Sequence, residues 1–569
     1  WRETMFLKKT EHLQALADQH KGDWILDTET DGLQVRGPLS RDKAWIIGLL
    51  AHGTGAVFFI DTAAPEYPAM LKILERMPLV GHNLRFDIHA MGAQPAQPWN
   101  DTMLAVYSQN TRRRKSLDDL AKLFGRSKVA TMGELKGKKK QQNTIHLLRR
   151  GLYDWDEKLL QYLEDDLIVT SKLWTRYSRC HTDLMGKVEL AVQRMEDRGI
   201  RLLTDRLEAL ARDIRPLVQT NQDFITHKGF NGNLNSPKQV LAFLNSRGFS
   251  IESTNTKLVL EPMFLDTGDP LLGAILMYRS WQKKERDFCQ TLPKFVQPDG
   301  LIHGGIKTAR TATGRFSHED PNLGQIPKQG KTPQEREISK RFRSCFQGAS
   351  GGCSGADFSQ VELRVAAALS CDERMLEAFA QGEDPHAATA AATSGCSIEK
   401  LPDGERFKAK ATNFGILNGM GAARLALQIR TPVSEARKFI DKHRKAHPEL
   451  HCWMRVQTLM AEASSCAHAL DGTQRVYPVG ERNHITSAVS QQVQGTAAAL
   501  MKHALVACDE AGLRPILSVH DELVGDVLDK GEEYAKIMQD AANQAFPESR
   551  LKQVSFVAEG GQGETWEAV

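Results

Sequence analysis

The chain has 569 residues, 41% hydrophobic and 25% charged, a globular balance that is neither disordered nor collagenous. At about 150 residues per domain, the length predicts roughly three or four domains. A formal net charge of +4 does not by itself announce a polyanionic partner, while nine scattered cysteines without a Cys-x-x-Cys pair exclude a disulfide framework and a zinc module and point to a reducing compartment.

Residues 1–186 read as α/β. DWILDTE is an apolar strand that ends in acids, and AWIIGLLAHGTGAVFFID is two β-rich runs around a glycine-rich turn, a hairpin signal. AMLKILERM is helical, LVGHN is a short strand, and SLDDLAKLFG and KLLQYLEDDLIVTSKLWTRY follow as helices. The pattern predicts one mixed sheet with helices packed on it. Between Arg112 and Arg150 lie TRRRKS, KGKKK and LLRR, either a solvated basic loop or a surface for a phosphate backbone. From Lys187 the pattern changes to long helices, among them NSPKQVLAFLNSRG, with Ser236 as cap and Pro237 in the first turn. Residues 298–350 are richer in Gly, Pro and Arg, and strands and helices mix again from Gly352. No apolar run is long enough to span a membrane and no signal-peptide pattern opens the chain, which begins at Trp1.

Three short motifs in the first segment carry carboxylates. Asp27 and Glu29 lie at i and i+2 and share one face of a strand. Asn83 and Asp87 are four apart at a helix start, and Tyr162 and Asp166 are four apart on a helix. Each pair alone is weak, but four carboxylates from three elements suit two divalent cations that activate water and stabilise the leaving oxygen of a phosphodiester. All-oxygen ligands favour Mg²⁺ or Mn²⁺, and Tyr162 would orient the water. In this order the three motifs resemble those of the DEDDy-type 3′–5′ proofreading exonucleases, which have a ribonuclease-H-like fold.

A second carboxylate pair lies downstream. GGCSGADFSQVELRVAAALS reads as a strand ending at Asp357 and then a helix, and PILSVHDELVGDVL as two strands turning at His520-Asp521. In RFKAKATNFGILNGMG, Arg406, Lys410 and Phe414 share one helix face, where the two cations repel by about 0.2–0.5 kcal/mol unless an anion sits before them. A triphosphate fits that face, a base or sugar fits Phe414, and the chemistry is in-line phosphoryl transfer.

At these residues, about the last 380 of the chain resemble the family A, DNA polymerase I-like polymerases. DFSQVELR, RFKAKATNFGILNGMG and VHDELV are similar to the family's motifs A, B and C, and PNLGQIP points to its phage-type branch. The resemblance implies an α/β plus α+β multidomain chain, a ribonuclease-H-like exonuclease domain followed by a right hand. It divides the chain into exonuclease 1–186, thumb 187–300, palm 301–384 with 451–569, and fingers 385–450, with no 5′-nuclease domain. It implies that Asp357 and Asp521 hold two Mg²⁺, with Phe358 beside them and Glu522 in a lesser role. Arg406 and Lys410 would contact phosphates, Lys410 as general acid to the pyrophosphate. Glu362 matches a gate against the ribose 2′-OH, and Gln360 and His386 match positions beside the nucleotide. Arg315, Asn83, Gln494 and His520 match DNA contacts, and Arg343 matches a position that is structural or faces the DNA backbone. Phe414 is the family residue that discriminates against dideoxynucleotides. Asn418 departs from the family's usual Tyr, which implies looser control of the template base, and Thr486 and Ser490 replace an Arg and an Asn. The implied activity is replicative, template-directed DNA synthesis from dNTPs on primer-template DNA with proofreading, by an intracellular monomer, in a host cytoplasm if of phage origin or in an organelle. Any helicase, primase or processivity partner stays unnamed. The alternative is a 3′–5′ exonuclease whose polymerase half only binds DNA.

Overall fold

The computed structural model describes residues 6–37, 42–125, 145–328, 333–478 and 484–569. KGKKK lies outside them, as does the side chain of Thr486. The first domain is built on β1 (Trp24–Thr30), β2 (Ala44–Ala51), β3 (Val57–Asp61), β4 (Leu79–Gly81) and β5 (Asn100–Asp101), in the order β3-β2-β1-β4-β5. The predicted hairpin is β2–β3, and β4 and β5 extend the sheet in parallel to β1. Strand alternation sends neighbouring residues to opposite faces. Leu26, Ile47 and Ile60 meet Leu84 and Ile88 of α1 (Leu84–Met91), while Ile25, Ile46 and Phe59 meet Leu159, Leu163 and Leu167 of α2 (Glu157–Tyr177). With both faces covered, the strands are near-continuously apolar.

The predicted domain boundary at 186/187 falls inside a helix, α3 (Asp183–Arg198). Its Val188, Val192 and Met195 enter the core of the second sheet, and its Leu190 enters that of the first domain. A helix buried on two sides gives no composition break where the domains meet. After it, Ile200–Leu202 pairs with Leu301–Ile302 and Phe346–Gln347 in a small antiparallel sheet. Helices Thr204–His227, Pro237–Ser246 and Pro270–Lys284 follow, the second capped by Ser236 as its sequence predicts.

The second sheet has β6 (Cys353–Phe358), β7 (Pro515–Val519), β8 (Glu522–Gly525) and β9 (Ala558–Gly563) in the order β7-β8-β6-β9, all antiparallel. Between β6 and this sheet's last strands the chain builds a helical lobe: α4 (Pro385–Ser394), α5 (Glu405–Leu417), α6 (Val433–Ala446) and α7 (Pro448–Ser464). The long α8 (His484–Glu510) then lies against the sheet through Leu500 and Ala504. All nine cysteines are free. Among the described residues, no helix is long and apolar enough to cross a membrane.

Candidate active sites

In the first domain the structure brings Asp27, Glu29 and Asp166 together, with a carboxylate oxygen of each within 4.8 Å of the others. Asp27 and Glu29 leave the same face of β1, and Asp166 comes down on them from α2. Gly48 makes that approach possible. It is the partner of Asp27 on β2, and a Cβ there would stand 2.8 Å from Leu167 Cδ1 and 2.9 Å from Leu163 Cγ. Gly48→Ala is therefore expected to push α2 away, costing about 1–3 kcal/mol by overpacking. It should slow any hydrolysis at this site by tenfold or more, on the order of what a 1 Å misplacement costs. Metal-dependent phosphodiester cleavage by the variant checks this.

Asp87 is not one of the three clustered carboxylates; it is held at β1 by Thr28, whose N–H and hydroxyl donate to its Oδ1 at 3.0 and 2.7 Å. Burial pushes the Asp87 carboxyl up to about 7, against the pull of those two hydrogen bonds. Tyr162, one turn before Asp166, is buried. Asn83 sits at the helix corner in the left-handed region, φ 64°, with its N–H on Asp101. An all-carboxylate cluster on a rigid sheet and helix fits hard divalent cations.

The other face of α1 carries a group that the motifs did not disclose. Arg85 is buried and pairs with Glu189 at 2.9 Å and Glu196 at 3.3 Å, both on α3. His89 adds 2.7 Å to Glu196, and Ile306 N–H donates to the same carboxylate at 2.7 Å. Thr308 donates to Glu189. Burial alone would raise the Glu196 carboxyl; Arg85, His89 and Arg36 hold it well below the usual range instead. The signal was present in HNLRFD, where Arg85 stands two residues from Asp87 and so on another helix face.

In the second sheet, Asp357 lies near the end of β6 and Asp521 in the tight turn between β7 and β8, at the places the motifs predict. Phe358 N–H donates to Asp521 O at 3.0 Å, which ties the two strand ends together. The Phe358 side chain is buried, so only its backbone is available to the site. Burial raises the Asp521 carboxyl, and Asp357 raises it further while Arg315 opposes. Lys328 Nζ donates to Asp357 Oδ2 at 2.7 Å and to Glu522 Oε2 at 3.2 Å. An ammonium drawn between these carboxylates shows that the site attracts a cation.

Three more of the residues named from the motifs are buried. Arg343 takes the structural one of its two readings. It is 5% exposed, donates to both oxygens of Glu522 at 2.9 Å and lies 4.2 Å over the Trp566 ring. Glu522 in turn is 2% exposed and also accepts from Trp566 Nε1 at 2.5 Å. Glu522 is the cross-strand partner of Asp357 and shares Lys328 with it, so it sits on the same face, but deeper. Its oxygens are already taken by Arg343, Trp566 and Lys328, contacts that come from distant segments and that no local motif announces. His386 is likewise 2% exposed, packed with its ring centroid 5.5 Å from that of Phe414.

Arg406, Lys410 and Phe414 do share a face of α5, and Arg406 is held by an ion pair to Asp384, the cap of α4. Arg315 pairs with Glu362, so two separately predicted residues form one group. Gln360, at φ 55°, begins the helix after β6, and His520, at φ 57°, makes the turn before Asp521. Asn418 is not a simple gap. Its Oδ1 accepts from Gln494 Nε2 of α8 at 2.8 Å, and its Nδ2 donates to Phe414 O at 2.8 Å. Of the basic stretch, Arg113 donates to Tyr177 Oη, Arg149 pairs with Asp61 and Arg150 with Asp156.

Residues 203–568 match the family model described as DNA polymerase family A, and residues 6–176 match one described as a 3′–5′ exonuclease. DNA polymerase I of Pseudomonas aeruginosa is 30% identical over 99% of this chain and 64% of its own length. The thermostable DNA polymerase I of Thermus thermophilus is 32% identical over 72% of this chain and 50% of its own. The chain thus spans between half and about two thirds of these relatives. The solved POL domain of Pol1 from M. smegmatis, in complex with DNA primer-template and dNTP, has the same fold, with a TM-score of 0.82, 24% identity and 99% of each chain covered. With these matches laid over the two carboxylate sites, the chain belongs to DNA polymerase family A and carries a domain of the 3′–5′ exonuclease family at its N-terminal side.

Proposed function

We propose that the chain extends a DNA primer with dNTPs under the direction of a template and removes 3′-terminal nucleotides at a separate, DEDDy-type site. The observation that carries this reading is the pairing of Asp357 and Asp521 at joined strand ends, in one domain with a helix that presents Arg406, Lys410 and Phe414 together. We assign the second sheet to the palm, α4 to α6 to the fingers and the helices of 204–290 to the thumb. Asp357 and Asp521 would hold the divalent cations of synthesis, Mg²⁺ by the hardness of their oxygens, and Asp27, Glu29, Asp87 and Asp166 those of hydrolysis. Such cations, when bound, neutralise developing charge and activate the attacking oxygen.

The chain's own residues do the rest. Arg406 must leave Asp384 to meet a phosphate, so the ion pair holds it nearby and extended. Lys410, exposed and one turn away, supplies a second cation and a proton for the leaving pyrophosphate. Glu362, fixed by Arg315, walls off the sugar edge. The hydrogen bond between Asn418 and Gln494 spans helices α5 and α8, where template and primer would pass. Sequence is then read by base pairing, and the protein contacts backbone and shape.

The test is a primer-template duplex with Mg²⁺, with and without dNTPs. Extension with dNTPs and shortening without them support both activities; shortening alone leaves the second half as a DNA-binding scaffold. Within this reading, Asn418→Tyr in an Asp27→Asn background is expected to lower misincorporation about threefold to tenfold, the scale of one good contact at 1.4 kcal/mol per decade. A mismatch-extension assay checks it.

A further inference from the structure

Behind the cationic face of α5 runs a chain of buried polar groups that the proposed chemistry does not use. Asn413, next to Phe414, is 1% exposed. Its Nδ2 donates to His386 Nδ1 at 3.1 Å and to Thr389 Oγ1 at 3.2 Å, both on α4. Its Oδ1 accepts from His443 Nε2 of α6 at 2.9 Å. The orientation of this amide is fixed by its surroundings. The Thr389 hydroxyl proton has two other takers, Pro385 O at 2.8 Å and His447 Nε2 at 3.1 Å, so toward Asn413 that oxygen accepts.

The tautomers follow from the amide. An NH₂ group only donates, so His386 Nδ1 carries no proton. An amide oxygen only accepts, so His443 Nε2 carries one. His443 Nδ1 then accepts, and the group facing it at 3.0 Å is His451 Nε2 of α7. His447 closes the chain by reaching Asp372 Oδ1 at 2.9 Å. Charges around the cluster are Asp384 at the cap of α4, Arg406 and Lys410 on α5, Arg444 on α6, and Asp372 and Arg374 before and on helix Glu373–Ala380.

We propose that Asn413, gripped between His386 and His443, is a positioning residue for the incoming nucleoside triphosphate, fixing the rotation of α5 and hence of Arg406, Lys410 and Phe414, with His451 holding His443 in the donating tautomer. The proposal rests on the polymerase reading. Three helices meet at this one side chain, and no alternative partner in the cluster satisfies both of its ends. A protonated His386 or His443 would turn a donor toward a donor, or break the bond from His451.

Burial pushes His386 and His451 down to about 4 and His443 well below its usual value. Unfolded histidine titrates near about 6.5. A folded value below the unfolded one means that the unfolded chain binds more protons in acid. The stability that the neutral cluster contributes is therefore complete above about pH 6.5 and is lost progressively as pH falls toward 4, while in the folded chain the grip itself persists until about pH 4.

Single-nucleotide incorporation on a primer-template duplex, with the dNTP titrated, tests this in the full chain alongside hydrogen exchange of residues 405–417 without nucleotide. His443→Phe and Asn413→Leu are expected to raise the dNTP KM about tenfold with kcat within about threefold, the signature of a lost ground-state alignment. His443→Gln, a neutral group that still donates, is expected to rescue most of the KM. Because the folded histidines stay neutral down to about pH 4, going from pH 7.5 to 5.5 should leave the ratio of the His443→Phe KM to the wild-type KM unchanged, and His443→Phe should speed exchange in 405–417 at both pH values. Equal kinetics for wild type and His443→Phe, or equal defects for the Gln and Phe variants, overturn the proposal. So does exchange in 405–417 that His443→Phe leaves unchanged. A wild type that incorporates no nucleotide overturns the polymerase reading instead.

Discussion

Asp521→Asn, and equally Asp357→Asn, abolishes primer extension by on the order of a thousandfold or more, and 3′ shortening continues. The substitution keeps the shape of the side chain and removes its charge, so the joined strand ends stay in place through the Phe358 to Asp521 backbone bond. What is lost is the electrostatic sink. Asp521 is buried beside Asp357, with Arg315, His520 and Lys328 in reach, and one carboxylate fewer removes part of the negative charge that those cations already offset. A site so weakened draws a divalent cation less strongly. Asp27→Asn gives the mirror result: shortening is lost by a similar factor and extension survives, because its cluster with Glu29 and Asp166 lies on a different sheet. A denaturing gel of end-labelled primer, with and without dNTPs, reads all four outcomes. Loss of both activities in either variant would mean that the two sites are not independent.

The second large effect is on stability. Arg85→Leu leaves Glu189 and Glu196 buried, 2% exposed each, without the guanidinium that neutralises both. Breaking such a group by removing one partner costs about 3–5 kcal/mol, since the remaining charges cannot regain water. That is a large part of the stability of a typical domain. The expected result is a lower midpoint in thermal unfolding and early proteolysis between the first domain and the rest. Arg85→Lys should recover only part of the loss, because an ammonium cannot serve two carboxylates and the Ile306 carbonyl from one plane. An unchanged midpoint for Arg85→Leu would show that the carboxylates find water or protons at little cost.

How much of this was legible in the sequence varied with the kind of feature. Strands and helices that carry the motifs were readable because their periodicity is strong, as in the β2–β3 hairpin and α2. Asp27 and Glu29 share one strand and Arg406 and Lys410 one helix, so their spacing alone put each pair side by side, and Asp166 joins the first pair from α2. The failures share another cause. Arg343, Glu522 and His386 stand in or beside motifs, and nothing local shows that packing buries each of them against partners distant in sequence. The Arg85 hub and the Asn413 cluster were missed because their partners come from segments more than twenty residues apart, and no local pattern announces a buried contact of that kind. The phage-type expectation stands on PNLGQIP and the overall length, and the relatives named above are bacterial.

Helix α1 turns Asp87 to Thr28 of β1 and Arg85 with His89 to α3, so one short rod ties the strand that carries Asp27 and Glu29 to the helix that joins the domains. This bears on how such a chain is dismantled or rebuilt. A trimmed enzyme that starts near residue 187 would keep Glu189 and Glu196 and lose every cation of the first domain that answers them. It would also bare Leu190 and the docking side of α3. Disarming the nuclease by one substitution in Asp27 leaves that joint intact, whereas deleting the domain obliges the builder to neutralise two acids on α3 at the same time. A foreign nuclease grafted in its place would have to arrive with its own arginine, aimed from the same helix face.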